Sequence, residues 1–267
     1  MEATAKLREV KEKVEVLLRE REYAKVVEEI ETFSQGYTPK ARDVEWAELQ
    51  VRLVFGQEKL GRYDKETAEA AYEVLKPTNR RKEIGTVEWI LGKMHLALGE
   101  TKTALRYLRN SLSEFDRMED EKRKAQILNT IGQGYFLNGW TKQAIEHLTE
   151  AMELCRQGVN KGDKSQEAMV LGNLGTCYIF TGQWPLACKM LRSSLELSEG
   201  LNDTLRISRK LIALCRLYIL QRRWEKVSEF LDRAQKIAEE GGYQRERAMA
   251  YESLGSLQIG FWERDGR

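Results

Sequence analysis

Two histidines and three prolines are all that this chain of 267 residues holds of either type. With so few histidines, and neither beside a cysteine in sequence, histidine-ligated metal centres and histidine-based catalytic triads have no support. Four cysteines (Cys155, Cys177, Cys188 and Cys215) lack paired spacing, and each falls inside a helical pattern. That predicts buried reduced thiols rather than disulfides or metal ligands. An excess of one charge is missing too: 44 lysines and arginines face 42 acids, a net charge of +2. Nucleic-acid binding, which needs a basic excess or stripe, is thereby disfavoured. No run approaches the roughly 18 apolar residues of a membrane span, and the first residues lead into a charged amphipathic segment with no apolar signal core. No phosphate-cradling glycine loop stands out, since Gly172 and Gly175 fall within a helical repeat. These absences lead us to expect a soluble cytoplasmic protein that is not an enzyme and holds neither cofactor nor metal.

What the sequence does hold is helical periodicity. Apolar residues recur at helical spacing almost throughout, with no sustained strand alternation. The pattern predicts helices over 4–20, 22–34, 41–60, 65–76, 81–98, 101–117, 120–138, 141–157, 164–181, 184–199, 203–221, 224–240 and 243–262. Gly61, Gly99, Gly139 and Gly182 stand where four helix pairs need a left-handed turn. Pro185 suits the first turn of its helix, where a missing N–H costs nothing. Pro39 and Pro77 fall in longer connections. Glu119-Asp120-Glu121 reads as a helix start favoured by the dipole.

A short phrase recurs four times: Leu91-Gly92 to Ala104, Ile131-Gly132 to Ala144, Leu174-Gly175 to Ala187 and Leu214-Cys215 to Val227. Successive copies start 40, 43 and 40 residues apart. Self-similarity at this period marks stacked helical repeats, none of which can bury its apolar face alone. The fold expected is all-α, a right-handed superhelical solenoid of antiparallel helix pairs in one continuous stack. Degenerate pairs would occupy 1–80, regular repeats 81–262, and a turn 263–267. A small residue at each helix crossing lets backbones approach, and a large neighbour fills the space above. Tyr135, Tyr178, Trp140, Trp184 and Trp224 read as core or inter-repeat wedges, His95 as a packed core residue and His147 as a surface one.

The motifs resemble those of the tetratricopeptide repeat family. One copy reads Leu171, Leu174-Gly175, Tyr178, then Ala187, Leu191, Ser194; another Leu128, Ile131-Gly132, Tyr135, then Ala144, Leu148, Ala151; a third Leu211, Leu214-Cys215, Tyr218, then Val227, Leu231, Ala234. The period is near 40 rather than about 34. In this the chain is similar to the lengthened repeats of kinesin light chains, receptor-linked G-protein scaffolds and the sensor regions of large bacterial transcription activators.

The resemblance implies a concave groove lined by first helices. The stripe facing it falls six and three residues before each core glycine, and one and four after. Its candidate peptide-binding residues are Asn129, Gln133, Phe136, Met169, Thr176, Arg209 and Arg216, mixing amides, apolar groups and two arginines, to which the carboxylate-clamp pattern of some relatives adds Asn173. Some relatives clamp a C-terminal carboxylate. By that pattern Asn173 fits an asparagine slot and Arg209 a cationic one, while Asn129, Gln133 and Ala213 depart from it. The function expected is a protein–protein interaction scaffold holding a peptide or protein segment, in a narrower version the regulatory or sensor module of a larger bacterial signalling or transcription protein. The alternatives are an RNA-binding helical-repeat protein and a small-effector sensor. Finally, Tyr251, Leu254, Gly255, Leu257, Ile259, Phe261 and Trp262 pattern as a first helix with no second helix after the turn at Asp265-Gly266-Arg267. The expectation is a piece of a longer protein, or a dimer formed through the C-terminal helix.

Overall fold

A computed structural model describes residues 2–157 and 163–265. The described residues form thirteen α-helices and no strand: α1 (Glu2–Arg19), α2 (Tyr23–Ser34), α3 (Val44–Lys59), α4 (Lys65–Leu75), α5 (Arg81–Ala97), α6 (Thr101–Arg117), α7 (Glu121–Leu137), α8 (Thr141–Arg156), α9 (Lys164–Phe180), α10 (Trp184–Gly200), α11 (Thr204–Leu220), α12 (Trp224–Glu240) and α13 (Gln244–Asp265). Each lies within three residues of the range the periodicity predicts. The architecture is the all-α solenoid type, built from consecutive antiparallel helix pairs. The helix α13 runs on through most of the stretch expected to turn, and Gly266 and Arg267 lie outside the described residues. No described helix is long and apolar enough to cross a membrane.

Local chemistry sets the helix ends. Gly99 and Gly182 have φ of +76° and +72°, a backbone region where a Cβ would strain the chain. Where the fourth copy offers no glycine, Arg222 takes the same place at φ +55°. At the other ends, aspartates accept hydrogen bonds from backbone N–H groups that a first turn leaves unpaired. Asp43 accepts from Trp46, Asp64 from Thr67, Asp120 from Arg123, Asp163 from Gln166 and Asp203 from Arg206, at 2.9–3.1 Å. Asp203→Ala is expected to cost about 1 kcal/mol, measured as a shift of the urea midpoint; an unchanged midpoint would leave the cap without energetic weight.

The chain divides into two compact units, Met1–Gly134 and Tyr135–Arg267. In the first, α1 to α6 pack each on the next. One core cluster gathers Leu7, Val14, Val26, Ile30 and Leu49, another Val54, Ala68, Leu75, Ile90 and Leu91. The crossing of α5 and α6 shows why the recurring small residue is there. A Cβ on Gly92 would fall 2.6 Å from Leu108 Cγ and 3.3 Å from the Ala104 carbonyl. About two turns back along α5, the Gly85 carbonyl accepts from the buried Ser111 hydroxyl at 2.6 Å.

The second unit repeats this arrangement in α8 to α13, again packed in sequence. A Cβ on Gly175 would meet Leu191 Cγ at 2.7 Å, and Ser194 Oγ donates to the Ala168 carbonyl at 2.6 Å. Ala187, Leu191, Leu211, Leu214, Val227 and Leu231 are buried in its core cluster. Cys155, Cys177 and Cys215 are free, buried thiols, and burial pushes them up to about 11, 11 and 12, away from the reactive thiolate.

Candidate functional site

In the second unit the first helices of successive pairs, α9, α11 and α13, neighbour one another. A cleft of about 800 Å³ opens among them. Apolar side chains form much of its wall, among them Ile179, Phe180, Ile219, Leu220 and Met249. Phe180 and Leu220 end their helices with 68% and 53% of their surface exposed, so large apolar groups face solvent at the rim. Four cations, Arg209, Lys210, Arg216 and Arg245, share the wall with two carboxylates, Glu246 and Glu252. Glu246 is buried and accepts from Arg209 Nε at 2.7 Å, tying α11 to α13. An apolar lining with a few convergent polar groups is the usual make-up of a ligand site.

The sequence-derived stripe meets this cleft in part. Thr176, Arg209 and Arg216 line it. Met169 and Asn173 are half-buried on the same helix as Thr176, outside the lining. Phe136 is half-buried and stands edge-on to Phe180, ring centroids 5.0 Å apart. In the first unit Asn129 is buried and Gln133 exposed. The stripe residues of α5 turn inward there. Trp89 is buried and its Nε1 donates to Thr130 Oγ1 at 3.1 Å. Lys93 pairs with Glu58 and lies over the Trp89 ring, which Lys59 and Arg123 also approach. Burial pulls Lys93 down to about 8.

The expected wedges divide. Tyr135 is buried, and Tyr178 and Trp224 pack against the second unit's core. Trp140 and Trp184 instead keep 51% and 38% of their surface exposed. His95 is buried as expected, stacked on Tyr107 at 5.4 Å with Nδ1 2.5 Å from Glu100 Oε2. His147 is half-buried against Tyr135, its ring parallel at 5.2 Å.

Lys210 and the whole contribution of α13 were outside the sequence-derived set. A signal for α13 was present. The stripe rule applied to Gly255 gives Met249, Glu252, Ser256 and Ile259; the first three line the cleft, and Ile259 is exposed outside it. Among the described residues, no group of three or more histidines, cysteines and carboxylates is arranged to hold a metal ion.

Residues 123–200 match the tetratricopeptide repeat family model. No curated protein matches the chain by sequence. Solved structures share the fold at low identity. A Rap protein complexed with competence and sporulation factor is 16% identical, with a TM-score of 0.66 over 97% of this chain and 88% of that one. The tetratricopeptide-repeat-sensor signal transduction ATPase with numerous domains from Pyrococcus horikoshii is 16% identical at a TM-score of 0.69; the match covers 94% of this chain and 36% of that one. Aspartyl phosphate phosphatase F from Bacillus subtilis is 13% identical at 0.64, over 83% and 62% of the two chains.

Proposed function

Because this chain is a tetratricopeptide-like helical-repeat protein with a lengthened period, we propose that it is an interaction module that holds a peptide or protein segment in the cleft of α9, α11 and α13. The observation that carries this reading is the cleft's make-up: exposed Phe180 and Leu220 at the rim, apolar walls within, and cations between them. Such a surface has work for both halves of a peptide, apolar side chains in pockets and polar groups to set register. Thr176 and Arg216 are the polar contacts we assign to it, with Arg209 bracing the wall through Glu246 and Met169 and Asn173 nearby on α9. A binding role needs no catalytic group, and the buried, raised thiols offer no nucleophile.

The narrower reading is that the module senses a segment on behalf of a signalling or transcription protein. Two neighbours support it: one is a Rap protein bound to competence and sporulation factor, the other a sensor within a signal transduction ATPase. A photo-crosslinking amino acid tests the cleft directly. Benzoylphenylalanine in place of Phe180 should give adducts with a protein partner in cells, whereas the same group at exposed Leu201, outside the cleft, should not. Equal adduct yields at both positions, or none at Phe180, would count against the cleft as the binding surface.

A further inference from the structure

The cleft's cations differ in what they already hold. Arg209 spends its charge on the buried Glu246 carboxylate. Arg206, just outside, is engaged by Asp203 at 3.1 Å and by Ser165 Oγ at 2.8 Å. Lys210 forms no hydrogen bond or ion pair among the described residues, although it is partly buried. Its side chain reaches from α11 across α9, over Gly172, where a Cβ would overlap the ammonium. Gly172 is therefore the missing side chain that gives Lys210 its place. Asp203, the carboxylate that acts on Lys210 through space, is already taken by the Arg206 backbone N–H and guanidinium. Burial first, and then the charges of Arg209 and Arg206, pull Lys210 down to about 8. An ammonium held this way costs stability until an anion meets it.

Two more cations extend the charge outward. Arg216 and Arg245 are exposed on the same wall and form no ion pair among the described residues. The charge that the cleft leaves unanswered is thus net positive: Lys210 inside and the two arginines outside stand against the one exposed carboxylate of Glu252. Next to it stand Phe180, Ile219 and Met249.

We propose that this cleft selects an acidic segment, in which an aspartate or glutamate reaches Lys210 while a neighbouring large apolar side chain packs against Phe180, Ile219 and Met249. The proposal deepens the peptide-binding reading and rests on it. Arg216 and Arg245 steer the segment in and set its orientation, and the carboxylate at Lys210 discriminates, because an uncharged amide there leaves the ammonium unanswered. Arg209 acts by holding α13 in place through Glu246 rather than by receiving the ligand's charge.

The test is to pan a random dodecapeptide phage library against the full chain and against two variants. Lys210→Met keeps the stem and removes the charge. Gly172→Ala keeps the charge and displaces it. The parent chain should enrich peptides with Asp or Glu beside Leu, Ile, Phe or Trp. A synthetic enriched peptide should bind at least tenfold tighter than its Asn/Gln counterpart by fluorescence anisotropy. Lys210→Met, folded by circular dichroism, should lose most of that ratio, and Gly172→Ala should lose part of it. Enrichment without acidic preference, or a preference that Lys210→Met keeps whole, overturns the acidic-segment proposal and leaves peptide binding standing. Failure to enrich any peptide overturns both.

Discussion

Leu191→Ala should cost about 3 kcal/mol and Gly175→Ala about 2 kcal/mol, yet the double variant should cost little more than Leu191→Ala alone. Leu191 is fully buried, so trimming it removes apolar contact and leaves a cavity. Gly175 fails for the opposite reason. A methyl there would lie 2.7 Å from Leu191 Cγ, 2.9 Å from its Cδ2 and 3.3 Å from its backbone nitrogen. Two of those three atoms belong to the side chain that Leu191→Ala removes. The methyl then enters the vacated space, and the overpacking cost falls to what the backbone contact alone imposes. Residues in direct contact are where non-additivity is expected. Urea denaturation of the four proteins, followed by far-ultraviolet circular dichroism, measures the cycle. Equal stability of Gly175→Ala and the parent chain, or strict additivity, would mean that close approach at this crossing is not why the residue is glycine.

That crossing is also the part of the fold most legible in the sequence. The recurring small residue and its partner twelve positions on mark where α9 meets α10 and α5 meets α6, and both contacts lie within a single helix pair. Helix ranges follow from the same local period, and Gly99 and Gly182 turn as expected because a left-handed backbone leaves few other choices. Legibility drops when a residue's role depends on another pair. The stripe rule marks the side that first helices turn toward their neighbours without saying whether a neighbour fills it. Trp89 is buried, and the partner that satisfies its N–H is Thr130, 41 residues on. Arg209 looks in sequence like a free ligand-binding cation, and Glu246, 37 residues on, claims it. Lys210 has no motif at all; its position exists because Gly172, on another helix, has no side chain. The cleft was therefore half legible: α9 and α11 through their register, and α13 only had the same register been carried to Gly255.

The stability of the first unit should fall as pH rises from about 5 to about 8, with Glu88 as a principal cause. This carboxyl on α5 is 3% exposed, and its Oε2 has no hydrogen-bond partner. Burial raises it from the ordinary value to about 7, the nearby Glu114 adds to the rise, and the hydrogen bond from Tyr72, the nearby Asn110 amide and the charge of Lys76 only moderate it. The Tyr72 hydroxyl donates to Oε1 at 3.1 Å, so one oxygen is satisfied and the other is not. Below the unfolded value both states carry the proton and Glu88 contributes no pH dependence. Between the two values the unfolded chain ionises first, so the folded state holds the extra proton and loses stability as pH rises. Above about 7 both are ionised and the full penalty stands, at most about 3 kcal/mol. Glu88→Gln keeps an acceptor for Tyr72 and cannot ionise. The variant should match the parent chain within about 1 kcal/mol at pH 5 and exceed it by about 2–3 kcal/mol at pH 8. Other groups titrate in this range, so the decisive quantity is the difference between the two proteins at each pH, read from paired urea midpoints. A difference that stays constant from pH 5 to 8, or a variant weaker than the parent at pH 8, would show that Glu88 is ionised in the folded protein and that Tyr72 and Asn110 together outweigh its burial.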